Sequence, residues 1–256
     1  MSGSGAGGFP AVFVSHGAPT LLLEGGPAVD FLAGLGQRLG RPKGIVCVSA
    51  HWETDRPAVS AAAAPETIHD FSGFPRQLYA MRYPAQGSPT LAARVKDALG
   101  KAGIACTVDP ARGLDHGAWV PLMKMYPEAD IPVLQLSVQP DRDPAHHLAV
   151  GRALAPLRTE GVLVLASGSA IHNLRALRWG VDTPEAWAVD FAHWLDRAVE
   201  AGAVDDLVNY RDRHPAGAMA HPTDEHFLPL FAAAGAGGAG KGERLHASFM
   251  HANLGM

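Results

Sequence analysis

The chain has 256 residues, 21 Lys and Arg against 25 Asp and Glu, a net charge of −4 and 47% hydrophobic content. This composition excludes disordered, collagen-like and disulfide-scaffold classes, and the lack of a basic block argues against nucleic acid or an anionic membrane as the main partner. No apolar run reaches the ~18 residues of a membrane span, and a chain of this length buries a full-sized core.

Residues 1–8 carry neither a basic residue nor an apolar stretch, so they read as a flexible tail rather than a signal peptide, ahead of one domain over 9–256. A strand is expected at Ala11–Ser15 and a helix at Pro27–Leu39, opened by a proline suited to a first helical turn. The apolar run at Gly44–Ala50 predicts a second strand, with Cys47 as buried filler; Cys106 lies in a similar run, and no CxxC pair exists. Two unpaired cysteines fit a cytoplasmic location. Pro65–Ser88 is a long segment rich in Pro and Gly with four aromatics (Phe71, Phe74, Tyr79, Tyr83), which reads as a functional loop.

Helices follow at Pro89–Leu99 and Trp119–Tyr126, then a strand at Pro132–Ser137, a helix at Pro144–Leu157 and a strand at Val162–Ala166. Helical periodicity continues at Pro184–Glu200, Asp205–Asp212 and Pro222–Ala234. Gly235–Gly242 is a flexible connection, and Leu245–Phe249 reads as a last strand. Strands alternating with helices predict an α/β three-layer sandwich, with a mostly parallel sheet and helices on both faces.

Histidine is the outlier, at 13 residues against only 18% charged. His16 follows the first expected strand, His51 follows the second, and His172 lies six residues beyond Ala166. Ligands in open α/β sheets bind beyond the carboxyl ends of the strands, so these three histidines converge. HPTDEHF adds His221 and His226, whose spacing separates them by about 140° on an ideal helix. His226, within the expected helix and next to its apolar face, is the better ligand, while Glu225 or Asp224 are alternative oxygen donors. His116, after Asp115 in a turn entering a helix, is a candidate acid–base group.

Neutral imidazoles from dispersed segments suit a catalytic divalent metal rather than a structural zinc, and no GxSxG elbow or phosphate-binding loop competes with that reading. Open zinc sites generate hydroxide, so a zinc hydrolase with Glu53 or Glu225 as base is one alternative. A non-catalytic binding protein is another.

The motifs SHGAP (Ser15–Pro19), SAHW (Ser49–Trp52), TIHDFSGFP (Thr67–Pro75) and YPAQGSP (Tyr83–Pro89) recur in one known family. So do LDHGAW (Leu114–Trp119), MYPEADIPVLQLS (Met125–Ser137), ASGSAIHNLR (Ala166–Arg175) and HPTDEHFLPL (His221–Leu230). In their order and spacing the chain resembles the class III extradiol ring-cleaving dioxygenases, in the branch of DOPA 4,5-dioxygenase-like proteins. The resemblance implies metal ligands at His16, His51 and His226, with His172 as a fourth ligand or the catalytic base, and His116 as the second acid–base group. It implies Fe(II) for activity, a catechol and O2 as reactants, and a muconic semialdehyde as product. Zinc competes well for nitrogen ligands and is expected in purified samples. A monomer or small homo-oligomer is expected.

Overall fold

A computed structural model describes residues 8–181 and 183–256. The expected tail therefore lies, apart from Gly8, outside the described residues. The strands are β1 (Ala11–Ser15), β2 (Gly44–Glu53), β3 (Ala58–Ser60), β4 (Thr107–Asp109), β5 (Val133–Val138), β6 (Val162–Gly168), β7 (Phe249–Met250) and β8 (Leu254–Gly255). The helices are α1 (Pro27–Leu39), α2 (Arg76–Ala80), α3 (Pro89–Lys101), α4 (His116–Met125) and α5 (Pro144–Thr159), then α6 (Ala186–Ala201), α7 (Val204–Val208), α8 (Tyr210–Arg213), α9 (Gly217–Ala220) and α10 (Leu228–Ala236).

Strands β1 to β6 form one sheet in the order β1-β6-β2-β5-β3-β4. The β1–β6, β2–β6, β2–β5 and β3–β4 pairs are parallel, while β3 pairs antiparallel with β5. The alternation along β2 explains the layers. Ile45 and Cys47 join one core with α1 and α4 residues such as Leu32, Leu35, Trp119 and Leu122. Val46 and Val48 face the opposite core, which holds α3, α5 and α10 residues such as Val95, Leu154 and Ala232. Both faces are covered, as a parallel sheet requires. A third cluster packs α6 beside α10 through Phe191, Leu195, Phe227 and Phe231.

The fold class stands as expected, and α1, α3 and α5 each open at the anticipated proline. Ser88 and Asp143 cap α3 and α5 by accepting from Leu91 and His146 backbone N–H groups. Four expectations change. β2 runs on to Glu53, so His51 lies inside the strand, where β2 shifts register against β5. His226 precedes α10, in a turn closed by Phe227 and Leu228 N–H donating to the Asp224 carbonyl, because Asp224 is held by Arg211 and Tyr210. The Leu245–Phe249 segment is not a sheet strand; only Phe249 and Met250 pair, with the C-terminal β8. Asp205–Asp212 breaks at Asn209 into α7 and α8.

Candidate active site

Parallel strands β1, β2 and β6 deliver their carboxyl ends to one rim. His16 follows β1 directly, and its backbone N–H donates to the Gly168 carbonyl at the end of β6. His51 comes from β2, His116 from the first turn of α4, His226 from the turn before α10, and His172 from the segment after β6. The His172 backbone N–H donates to the Ala220 carbonyl.

Three imidazoles meet nitrogen to nitrogen. His51 Nε2 lies 3.0 Å from His16 Nε2 and 3.1 Å from His226 Nε2. The opposite nitrogen of two of the rings is hydrogen-bonded, and that of His51 faces a carboxylate. His16 Nδ1 is 3.0 Å from Ser167 Oγ, whose hydroxyl hydrogen is donated to the Gly117 carbonyl, so the serine accepts from His16. His226 Nδ1 donates to Glu225 Oε1 at 2.9 Å, and His51 Nδ1 faces Asp70 Oδ2 at 3.5 Å. With the protons on Nδ1, three Nε2 lone pairs point at one another with no hydrogen between them. That arrangement is repulsive unless a cation sits among them. Two nitrogens each about 2.1 Å from one ion and at right angles lie about 3.0 Å apart, so the spacing fits a shared divalent metal.

Electrostatics agree. Burial, with repulsion from the neighbouring histidines, pushes His16 and His226 well below the usual imidazole range, and His51 to about 3. All three are neutral near pH 7, the state that binds metals.

The other two histidines at the rim each lie against one of these rings. His172 lies parallel to His226, centroids 3.4 Å apart at 10°, with its Nδ1 3.9 Å from Glu225 Oε1. Burial lowers His172 to about 4. His116 lies 3.8 Å from His51, with its Nδ1 3.0 Å from Asp70 Oδ2 and its backbone N–H donating to Asp70 Oδ1 at 2.9 Å. Burial alone would raise the Asp70 carboxyl, but the His116 N–H groups outweigh it and hold Asp70 at about 2.

Asp115 anchors the start of α4. Although fully buried, it accepts from Ser49 Oγ, Arg112, Gln135 and the Ala118 N–H, so its charge is compensated. Gly117 follows, and a Cβ there would meet Ser49 Oγ at 2.5 Å and His51 Cδ2 at 3.0 Å.

His16, His51, His116, His172 and His226 therefore gather at one rim, as the sequence expected. His221 does not join them: it stacks on Phe227 and donates Nε2–H to the Ala170 carbonyl. Asp224 is spent on Arg211 and Tyr210. Within the long loop, the Phe71 ring centroid sits 5.6 Å from that of His116, whereas Tyr83 is buried with its hydroxyl donating to the Tyr126 carbonyl. Sequence reasoning missed the supporting roles of Asp70 and Ser167. A carboxylate directly after His69 in an aromatic loop was the available hint for Asp70; Ser167 had none.

Residues 10–256 match the family described as the catalytic LigB subunit of aromatic ring-opening dioxygenase. The chain is 46% identical over 242 residues to the 4,5-DOPA dioxygenase extradiol of Beta vulgaris, covering 93% of this chain and 90% of that one. It is 47% identical over 249 residues to the protein of that name in Portulaca grandiflora (95% and 92% covered), and 46% identical over 232 residues to that of Escherichia coli (89% and 84%). The crystal structure of an uncharacterized Escherichia coli K12 protein superposes with a TM-score of 0.83 at 38% identity, covering 97% of both chains.

Proposed function

Because the chain belongs to the LigB family of aromatic ring-opening dioxygenases and is an extradiol dioxygenase, we propose that it opens the ring of a DOPA-like catechol to a muconic semialdehyde. His16, His51 and His226 hold Fe(II), and His116 and His172 transfer protons. The observation that carries this reading is the meeting of three Nε2 atoms, with the Nδ1 of His16 hydrogen-bonded to Ser167 and that of His226 to Glu225. Fe(II) suits the reaction because reduction of O2 draws on a redox-active ion, which zinc is not. Bound there, the ion supplies charge that acidifies the catechol hydroxyls and open positions for both reactants.

The protein supplies the rest. His172 is read as a base rather than a fourth ligand, because an imidazole donates through a lone pair in its own plane. Parallel rings 3.4 Å apart cannot both aim those lone pairs at one ion. Neutral at working pH, His172 accepts a catechol proton; His116, backed by Asp70, returns one to the departing oxygen as the ring opens. Phe71 and the adjoining loop cover the His116 side of the site and limit water there. A zinc hydrolase is less well supported, because the Glu225 oxygen that would act as base is engaged by His226 and Thr223. The two free cysteines are consistent with a cytoplasmic setting.

The test is anaerobic loading with Fe(II), then DOPA and air. Oxygen uptake with a yellow ring-opened product is expected, and metal-loaded protein inert towards a panel of catechols overturns the proposal.

A further inference from the structure

The five histidines are not five independent groups. Two carboxylates divide four of them into two matched pairs. Asp70 Oδ2 faces both His51 Nδ1 (3.5 Å) and His116 Nδ1 (3.0 Å), and the two rings touch, with centroids 3.8 Å apart. Glu225 Oε1 faces both His226 Nδ1 (2.9 Å) and His172 Nδ1 (3.9 Å), and those rings stack at 3.4 Å. Each pair joins one imidazole of the Nε2 cluster to one imidazole outside it. His16 stands apart, served by Ser167 instead.

The two carboxylates are biased in opposite senses. Asp70 lies closer to the outer histidine and also accepts the His116 backbone N–H through Oδ1 at 2.9 Å, so both its oxygens lie against His116. Glu225 lies closer to the inner histidine, and Thr223 Oγ1 donates to the same Oε1 at 3.1 Å, which fixes the oxygen beside His226.

We infer that Asp70 and Glu225 are positioning residues with divided duties: Asp70 holds His116 for proton transfer, and Glu225 holds His226 for metal binding. The inference rests on the ligand and acid–base assignments proposed above. A carboxylate accepts from Nδ1–H and leaves Nε2 bare. An amide in its place can offer N–H instead, which moves the imidazole proton to Nε2 and disables that nitrogen. Removing such a partner from a metal-bound histidine typically costs 10–100-fold in metal affinity. A mispositioned acid–base histidine costs on the order of 100-fold or more in turnover.

The residue after His51 on the same strand face, Glu53, is exposed and approaches Glu225 closely enough for the two carboxylates to repel. It offers Glu225 no hydrogen bond, so it does not fix that carboxylate as Thr223 does.

The experiment compares wild type, Asp70→Asn and Glu225→Gln by anaerobic Fe(II) titration against a chromophoric chelator, and by kcat and KM for DOPA at saturating Fe(II). Glu225→Gln is expected to weaken Fe(II) binding at least tenfold and to lower kcat at saturating Fe(II) by a smaller factor than Asp70→Asn does. Asp70→Asn is expected to lower kcat about 100-fold at little-changed KM and to weaken Fe(II) binding by a smaller factor than Glu225→Gln does, through the longer His51 contact. Thermal melts establish that each variant is folded; Asp70→Glu and Glu225→Asp, which retain a carboxylate, replace any that is not and are expected to shift the same parameter less. Equal losses of affinity and turnover in both variants, or the reverse assignment, overturn the inference. A wild-type chain that binds no stoichiometric Fe(II) instead overturns the reading of the site itself.

Discussion

Ser167 decides which nitrogen of His16 carries the proton. Its own hydrogen goes to the Gly117 carbonyl, so its oxygen can only accept, and His16 must present a bare Nε2 to the cluster. Ser167→Ala leaves the tautomer free, and Fe(II) affinity is expected to fall 10–100-fold in chelator competition with the fold intact. Gly117 controls His51 by what it lacks. In Gly117→Ala the new Cβ collides with Ser49 Oγ and crowds His51 Cδ2. Affinity is expected to drop at least tenfold with a stability loss of about 1–3 kcal/mol from overpacking, and unchanged binding would refute this account. These two residues mark the limit of legibility at this scale. His16 and His51 were readable because apolar runs announce strands, and strand ends announce ligand sites. Ser167 lies 151 residues from His16, and its partner is visible only once β1 and β6 are side by side.

At the scale of elements, α5 and α10 cross in close contact. A Cβ on Gly151 would fall 2.0 Å from the Ala232 carbonyl oxygen, and one on Gly235 would fall 2.1 Å from that of Leu148. The helices therefore meet backbone to backbone. Gly151→Ala forces them apart, and a cost of several kcal/mol is expected, read as a lowered urea midpoint; a shift within error would show that the crossing can relax. The long loop is fixed in a different way. Trp119 Nε1 donates to the Ile68 carbonyl, and Ile68 N–H donates to the Leu114 carbonyl, which sets Asp70 against His116. Trp119→Phe keeps the packing but loses the anchor, so kcat is expected to fall more than melting temperature.

The long central strands and proline-led helices were legible because periodicity and caps are local. The short strands β3 and β4 were not: β3 is three residues long, and in the edge strand β4 Thr107 and Val108 are exposed and carry no alternation. The alternating Leu245–Phe249 run misled because alternation shows fitness for a sheet, not the presence of a neighbour. His226 was assigned to a helix by spacing, yet Asp224, drawn off by Arg211 and Tyr210, starts the helix later.

For the molecule as a whole, burying neutral histidines ties stability to pH. His147, with its Nε2 accepting the Gln139 N–H and its Nδ1 donating to the Asp143 carbonyl, is pushed by burial to about 4. The unfolded chain, with an ordinary imidazole near 6.5, binds more protons than the native one between those values. Stability is therefore full above pH 6.5 and is lost as pH falls towards 4. From pH 7 to pH 5 this one group withdraws about 2 kcal/mol. His221, lowered to about 3 by burial, acts in the same direction. Urea unfolding of metal-free protein is expected to weaken steeply over that interval, and His147→Gln to flatten the slope by about one proton; parallel slopes would refute the assignment. A divalent metal held by the histidines of the folded chain is expected to raise the melting temperature with concentration.

The pairing of β1 with β6 alone has a consequence for biosynthesis. Among the described residues β1 has no partner until β6 is made some 150 residues later, a wait of roughly 8 to 30 s at ordinary elongation rates. During that interval an apolar segment ending in His16 stands uncovered on the nascent polypeptide, and the histidine rim comes together only after the turn carrying His226 has been made.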